Sequence, residues 1–510
     1  MASLSGMRSV RLAGHCNTAA LNTARIAPIQ HHTYRHFQSR FYGATSPKES
    51  DPAPSAPSSS PTVFTRMAQA VRSTFSSGSF SSPGADFGNA TTWNEALKEA
   101  EGLVVERKGG PIVDSKQLVG DDLKDLKNNI RNLLGSGHPM LDTVSKYYFQ
   151  ADGKHIRPLI ILLLAQATSM APKKVNVSIK DSYEEIDTPI SPLTDFHIPT
   201  LHGEKMKEAE ASEATFATTS VKVHGSAVNP IYTTNVNPLD GTFILPSQRR
   251  LGEIVEMIHT ASLLHDDVVD GADKRRNLTS ANEAFGNKMA VLGGDFLLAR
   301  ASLALARLRN HEVTELISTV IANLVEGEFM QLRNGQVENG RMNGRKHMTT
   351  FEYYMEKTYM KTASLISKSC RSSAVLGGAT DEVCDIAYIY GKNLGLAFQL
   401  VDDMLDFTVT SDEFGKPVGA DLKLGLATAP VLFAWEEFPE LGKLIKRNFG
   451  QPGDAEMARD LVLQSRGLEQ TRRLAQSHCQ KAIAAISQLP ESQAREALIQ
   501  LTEKVLDRKH

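Results

Sequence analysis

Leu123-Lys124-Asp125-Leu126-Lys127-Asn128-Asn129-Ile130-Arg131-Asn132-Leu133-Leu134-Gly135 carries apolar side chains at spacings of 3, 4 and 3 before a glycine. That period puts Leu123, Leu126, Ile130 and Leu133 on one helical face, and Gly135 stops the helix. The reading extends outward from there. Pro158 stands at the entrance to an apolar run over 159–165, a tolerated N-terminal helix position. Ala494, Ala497, Leu498, Leu501 and Val505 form another stripe near the C-terminus. Period-2 alternation is hard to find. The expectation is an all-α fold with one large helical domain.

Composition narrows the function classes. The 510-residue chain is 41% hydrophobic, enough for a sizeable core, with a formal net charge of −2. That charge argues against a chain that wraps nucleic acid. Four cysteines (Cys16, Cys370, Cys384, Cys479) make no disulfide scaffold, and their spacing fits no zinc module. The run 159–165 stops well short of the roughly 18 residues of a membrane-spanning helix.

Residues 1–42 contain Arg8, Arg11, Arg25, Arg35 and Arg40 and no Lys, Asp or Glu. An Arg-rich, acid-free, hydroxyl-rich start is the composition of a mitochondrial transit peptide. Arg40-Phe41-Tyr42 resembles a matrix-protease site with cleavage after Tyr42; a disordered basic tail is the bland alternative. Residues 43–90 hold twelve Ser and six Pro in 48 positions, a linker that cannot bury enough apolar area to offset its chain entropy. The helical domain runs over 91–510. It is interrupted at 173–246 by a Pro-, Ser-, Thr- and Glu-containing stretch, read as an irregular, low-complexity surface insertion.

The strongest chemical signal is a repeated carboxylate cluster. Leu263-Leu264-His265-Asp266-Asp267-Val268-Val269-Asp270 and Gln399-Leu400-Val401-Asp402-Asp403-Met404-Leu405-Asp406 both follow apolar helical stretches. On a helix, Asp266 and Asp270 share a face, as do Asp402 and Asp406. Carboxylates crowded at the end of an apolar helix repel one another and are costly to desolvate. A hard cation removes both problems. Magnesium favours a few carboxylates completed by phosphate oxygens, so two facing copies would hold magnesium around one diphosphate. Two solvated acidic helix faces are the alternative, weakened by the identical spacing. Basic residues bracket both clusters: Lys154 and Arg157 in Gly153–Pro158, Lys274, Arg275 and Arg276 after the first cluster, Lys361 beside Thr362, and Lys416 and Lys423 after the second. Guanidinium and ammonium groups are the usual partners of phosphate oxygens. His259 and His265 allow a zinc reading, but their spacing does not put both on one face; His259 reads better as a phosphate contact.

These motifs resemble the trans-isoprenyl diphosphate synthases, and among them the mitochondrial polyprenyl synthases of ubiquinone biosynthesis, of the hexaprenyl type found in fungi. The resemblance rests on Gly153–Pro158, His259–Asp270, Gly293–Leu297, Lys361–Leu365 and Phe398–Asp406, and runs from about 112 to 510 outside the insertion. It implies an isoprenoid-synthase helical bundle around a central cavity, magnesium as cofactor, and isopentenyl diphosphate and an allylic diphosphate (farnesyl or geranylgeranyl) as substrates. A homodimer in the mitochondrial matrix, with peripheral contact to the inner membrane and no nucleic-acid partner, is also implied. By position, Asp266 and Asp270 would ligate magnesium with Asp267 in support, and Asp402, Asp403 and Asp406 would hold further magnesium across the cavity. Lys154, Arg157, His259 and Arg276 would bind the isopentenyl diphosphate. Arg275, Lys361, Thr362, Gln399, Lys416 and Lys423 would line the allylic side.

Product length has its own residues. In such enzymes a bulky aromatic one turn below the first cluster stops elongation early. Here those positions are Ala261 and Ser262, with Ile258 near the next turn, which implies a product longer than geranylgeranyl. A short-chain synthase, a subunit of a heteromeric synthase and a terpene cyclase or head-to-head coupling enzyme are the rivals. The intact second cluster argues against a cyclase, and the retained aspartates and basic turns argue against an inactive subunit. Sequencing the N-terminus of the chain recovered from mitochondria is expected to read from Gly43; an intact Met1 would contradict the leader.

Overall fold

Leu126, Ile130 and Leu133 are buried on one side of a helix spanning Gly120–Leu133, as their spacing requires. The computed structural model describes residues 90–101, 113–150, 155–175, 177, 241–275, 278–332, 349–408 and 419–508. The expected leader, the linker up to 89 and residues 178–240 of the expected insertion lie outside these. The flanks of that insertion are packed. Lys173 bridges to Ala379, and the Val175 N–H donates to Gly378 O. Thr242, Ile244 and Leu245 are buried just before the next helix starts at Pro246.

In chain order the main helices are α1 (Trp93–Glu101), α2 (Gly120–Leu133), α3 (Pro139–Lys146), α4 (Ile156–Ser169), α5 (Pro246–Val269), α6 (Asn287–Arg307) and α7 (His311–Leu332). They continue with α8 (Thr350–Thr358), a π-helical turn (Tyr359–Ala363), α9 (Ser364–Leu376), α10 (Asp381–Thr408), α11 (Ala429–Glu437), α12 (Asp454–Gln464), α13 (Gly467–Ile486) and α14 (Gln493–Leu506). Among the described residues the only sheet is a two-residue ribbon, β1 (Lys274–Arg275) against β2 (Leu278–Thr279). The all-α expectation holds.

Two hydrophobic clusters form the interior. One gathers around α10, α11, α13 and α14; the other gathers around α2, α5 and α6. Helices α4 and α9 stand between them and give side chains to both: Ile161 and Leu365 to the second, Leu162 and Ile366 to the first. The run 159–165 is buried all round, which is why it shows no polar face. Close packing of α9 on α10 depends on Gly391, where a Cβ would fall 2.8 Å from Ser367 Cα and 2.9 Å from Cys370 Sγ. Cys370, Cys384 and Cys479 are free and buried.

Helix α5 is buried almost all round over 246–258 although it carries charge. Arg249 pairs with Asp122, and Arg250 pairs with Glu253. Asn129 Nδ2 donates to Glu253 Oε1 at 2.9 Å. Buried charges survive only when paired, so these contacts fix α5 against α2. Helix α6 holds a stretch, Asn287–Ala306, long and apolar enough to cross a membrane, but it is partly buried against α5 as a core helix. Unlike the unbroken run 159–165, this stretch is interrupted by Lys288, Asp295 and Arg300.

Candidate active site

The first carboxylate cluster ends α5. Below it the helix is closed in; from His259 onward a half-open stripe appears at His259, Ser262, Asp266 and Asp270. Their spacings are helical, so one side of the last turns faces open space while Ala261, Leu264 and Asp267 face inward. Burial pushes the Asp266 carboxyl up to about 6. The Lys361 ammonium opposes that shift, and the Glu328 and Asp270 carboxylates add to it. Those four groups therefore share one pocket of electrostatic influence.

Asp267 does something else. It is 0% exposed and accepts from the Tyr148 hydroxyl on one oxygen and from Arg275 Nε, at 2.9 Å, on the other. The Tyr148 oxygen in turn accepts from Ala281 N at 2.8 Å. Asp267 thus anchors the end of α5 to the turn Tyr147–Phe149 and to the ribbon. The resemblance implies a supporting role for Asp267 beside the magnesium ligands, and an allylic-diphosphate contact for Arg275. Arg275 pairs with Asp267.

The second cluster ends α10. Asp403 is buried and accepts from Tyr354 Oη at 2.6 Å, Gln399 Nε2 at 2.9 Å and Ala429 N at 3.4 Å. Burial raises its proton affinity, and these donors oppose the shift. Asp406 accepts from Ala420 N at 3.1 Å and Asp421 N at 3.3 Å, which places the short helix Ala420–Lys423 over the cluster. Lys423 is exposed at the end of that helix. Asp402 accepts from Arg508 Nη1 at 2.6 Å, and the Arg508 guanidinium lies 4.2 Å over the Phe398 ring.

The π-helical turn Tyr359–Ala363 joins the two ends. Its Lys361 pairs with Glu328 and donates to Gln331 Oε1 at 2.9 Å on α7. Its Thr362 Oγ1 donates to Gln399 Oε1 at 2.8 Å on α10. Because Gln399 also holds Asp403, and Lys361 acts on Asp266, both acidic ends open at the same end of the bundle. On the other flank, Arg157 Nη1 lies 2.9 Å from His259 Nε2. An arginine only donates, so His259 Nε2 accepts and Nδ1 carries the proton. His155, in a left-handed conformation at φ 43°, contacts Glu256 at 3.1 Å.

Sequence-expected residues thus fall into groups. Asp266, Asp270, Lys361, Thr362 and Gln399 converge, Arg157 and His259 meet each other on the other flank, and Asp402 and Asp406 come to the end where Gln399 lies. Lys154, Arg276 and Lys416 lie outside the described residues. Ser262 is on the open stripe, its hydroxyl donating to His259 O at 2.8 Å. Ala261 and Ile258 are sealed in the core, 0% and 1% exposed. The zinc reading loses its geometry: His265 turns to Val291 O and Asp295 on α6, away from His259's partner Arg157. Glu328, Gln331, Glu256, Tyr148, Tyr354 and Arg508 were missed. Their partners lie far away in sequence, and no local spacing announces them.

The donor set suits magnesium. The accessible groups are carboxylate oxygens, hard donors without thiolates. Among the described residues no three His, Cys, Asp or Glu side chains form a ready-made cage. Magnesium is typically held by one or two carboxylates with phosphate oxygens completing the shell. Asp266 and Asp270 on one side, and Asp402 and Asp406 on the other, would supply the protein oxygens. The folded chain holds the Asp266 proton more tightly than an unfolded one, whose Asp titrates near 3.9. The group therefore costs stability above about pH 6, and that cost disappears below about pH 4. A cation needs the ionised form. Calorimetric magnesium affinity is expected to fall between about pH 7.5 and about pH 5.5, and Asp266→Asn to remove most of that dependence; equal affinities at the two pH values in the parent chain would contradict the assignment.

Comparison with known proteins gives the family. The family model described as polyprenyl synthetase matches residues 216–463, which contain both acidic clusters. The chain is 54% identical over 422 residues to the probable mitochondrial hexaprenyl pyrophosphate synthase of Neurospora crassa, covering 82% of this chain and 85% of that one. It is 46% identical over 434 residues to the mitochondrial hexaprenyl pyrophosphate synthase of Saccharomyces cerevisiae, covering 77% and 90%. Among solved structures it is similar to a Caulobacter crescentus polyprenyl synthase complexed with calcium and isoprenyl diphosphate, at 26% identity and a TM-score of 0.58, covering 79% of this chain and 100% of that one. The chain belongs to the polyprenyl synthetase family.

Proposed function

We propose that this chain is a long-chain trans-polyprenyl diphosphate synthase, a prenyltransferase that condenses isopentenyl diphosphate head to tail onto an allylic diphosphate. The carrying observation is that two acidic helix ends open at one end of the bundle, on either side of Lys361-Thr362. Asp266, Asp270, Asp402 and Asp406 present oxygens toward the place of an allylic diphosphate. Magnesium held there would act as a Lewis acid on the leaving diphosphate. Lys361 stabilises the charge that collects on that diphosphate as the allylic C–O bond breaks. Arg157 and His259 orient the second diphosphate, so that the isopentenyl C=C faces the developing allylic cation. Apolar walls from α5, α9 and α10 exclude the water that would quench the cation. Loss of a proton to the departing diphosphate restores a double bond, and no side-chain nucleophile is needed.

The product is hexaprenyl diphosphate, the ubiquinone side-chain precursor, and the place of action is the mitochondrion. The named fungal relatives and the small Ser262 on the open stripe support this reading. The working form is a homodimer. Helix α6 exposes Val291, Leu292 and Leu303, and α7 exposes Val325, Phe329 and Leu332. Monomers rarely leave large apolar patches uncovered, so a second copy of this face is the fitting cover. Light scattering of the purified chain is expected to give twice the monomer mass, with Phe329→Glu shifting it to monomer; a monomeric parent chain would contradict the dimer.

The direct test uses purified residues 43–510 with magnesium, farnesyl diphosphate and labelled isopentenyl diphosphate. A discrete product longer than geranylgeranyl is expected. Replacing Asp266 and Asp270 together by Ala should cut turnover by more than about a thousandfold with helicity intact. Near-normal turnover would refute the roles given to them. Ser262→Phe should shorten the product more than Ala261→Phe, since Ser262 alone of the two is on the open stripe. An unchanged length in both would contradict a tunnel running down α5.

A further inference from the structure

The turn Tyr359–Ala363 is π-helical, a rare local geometry that recurs at functional sites. Two glycines seat it. At Gly327 of α7 a Cβ would lie 2.7 Å from Lys361 Cγ and 3.1 Å from Lys361 N. At Gly395 of α10 a Cβ would lie 2.6 Å from Ala363 Cα. Backbone and side-chain stem are therefore fixed from both sides. Only the end of Lys361 remains to be aimed, and α7 aims it. Glu328, next to Gly327, pairs with the ammonium, and Gln331 accepts from it at 2.9 Å. Glu328 Oε1 is buried with no hydrogen-bond partner among the described residues, so Lys361 on Oε2 is its ion-pair partner, with the buried Lys357 also within its field. Lys361 and Glu328 are the pair whose fields reach Asp266.

We propose that Glu328 is a positioning residue of the reaction: it holds the Lys361 ammonium, on a turn seated between Gly327 and Gly395, at the opening between the two acidic ends before substrate arrives. This rests on the prenyl-transfer reading above. A lysine stem has several rotatable bonds and loses much entropy when ordered. Ordering it in advance removes that loss from the reaction step, which is the gain preorganised charge offers. Glu328 also repels a diphosphate, so it favours the rate and not the ground-state binding. That asymmetry separates positioning from simple structural support.

The test is a double-mutant cycle with Glu328→Gln and Lys361→Met in the full helical chain, read as kcat and as KM for farnesyl diphosphate. Glu328→Gln keeps shape and removes charge. It is expected to lower kcat at least about tenfold with KM unchanged or lower, and to change kcat less than about twofold when Lys361 is already Met. Effects that multiply in the double variant, or a Glu328→Gln chain with parent kcat, would overturn the proposal. Acetylation of lysines followed by mass spectrometry supplies a readout that needs no turnover. Lys361 is expected to react at least about fivefold faster in Glu328→Gln, while the buried Lys368 reacts at its parent rate as a fold control. Equal Lys361 labelling in both chains would overturn the proposal whatever the rates. A parent chain that labels as expected but condenses nothing would instead refute the prenyl-transfer reading.

Discussion

Four carboxylates stand at the negative ends of two largely buried helix dipoles, and the rest of the site exists to make that tolerable. A negative side chain at a helix C-terminus is disfavoured by roughly 0.3–1 kcal/mol, and burial adds to the cost, as the raised proton affinity of Asp266 records. The protein offsets part of it with what it has. Lys361 acts on Asp266, Arg508 binds Asp402, and the Ala420 and Asp421 N–H groups bind Asp406. A hard cation brought with a diphosphate would complete the compensation, a physical reason for such an arrangement to take that substrate class.

The two clusters share a division of labour that their spelling hides. Successive helical residues are about 100° apart, so the middle aspartate cannot face the way its neighbours do. Asp267 and Asp403 both turn inward, and each accepts from a tyrosine, Tyr148 in one case and Tyr354 in the other. Each ties its helix end to a neighbouring element: the ribbon through Arg275, and the start of α11 through Ala429 N. In the first cluster that leaves Asp266 and Asp270 half-open; in the second Asp402 is half-open, while Asp406 is buried and holds the Ala420 and Asp421 N–H groups. The π-helical turn then fixes the separation between frames, since Lys361 reaches α7 and Thr362 reaches α10 from adjacent positions.

Much of this was legible in the chain. Helical periodicity encodes burial directly, so Leu126, Ile130 and Ala497 fell where their spacing put them. The repeated acidic spelling and the Lys361-Thr362 pair encode the site, because those residues act through local geometry. Other features depend on tertiary partners. Nothing near Glu328 in sequence says that Lys361 will meet it, and nothing near Asp402 points to Arg508. The inward turn of Ala261 follows from helix phase, yet which side of α5 is open depends on how α2, α4, α6 and α9 cover the rest. Likewise Lys173 to Val175 read as the start of an irregular stretch, but they are pinned to the loop after α9 by backbone bonds that only the fold provides.

The central claim is that the two acidic ends act together on one diphosphate. The most direct measurement is a crystal structure of the chain with magnesium and a non-reactive allylic thiodiphosphate. The account requires cations between the diphosphate and Asp266 and Asp270 on one side, and Asp402 and Asp406 on the other, with Lys361 turned to the diphosphate and Asp267 and Asp403 still on their tyrosines. A diphosphate held by basic side chains alone, with Asp402 still on Arg508 and no cation at either helix end, would contradict it.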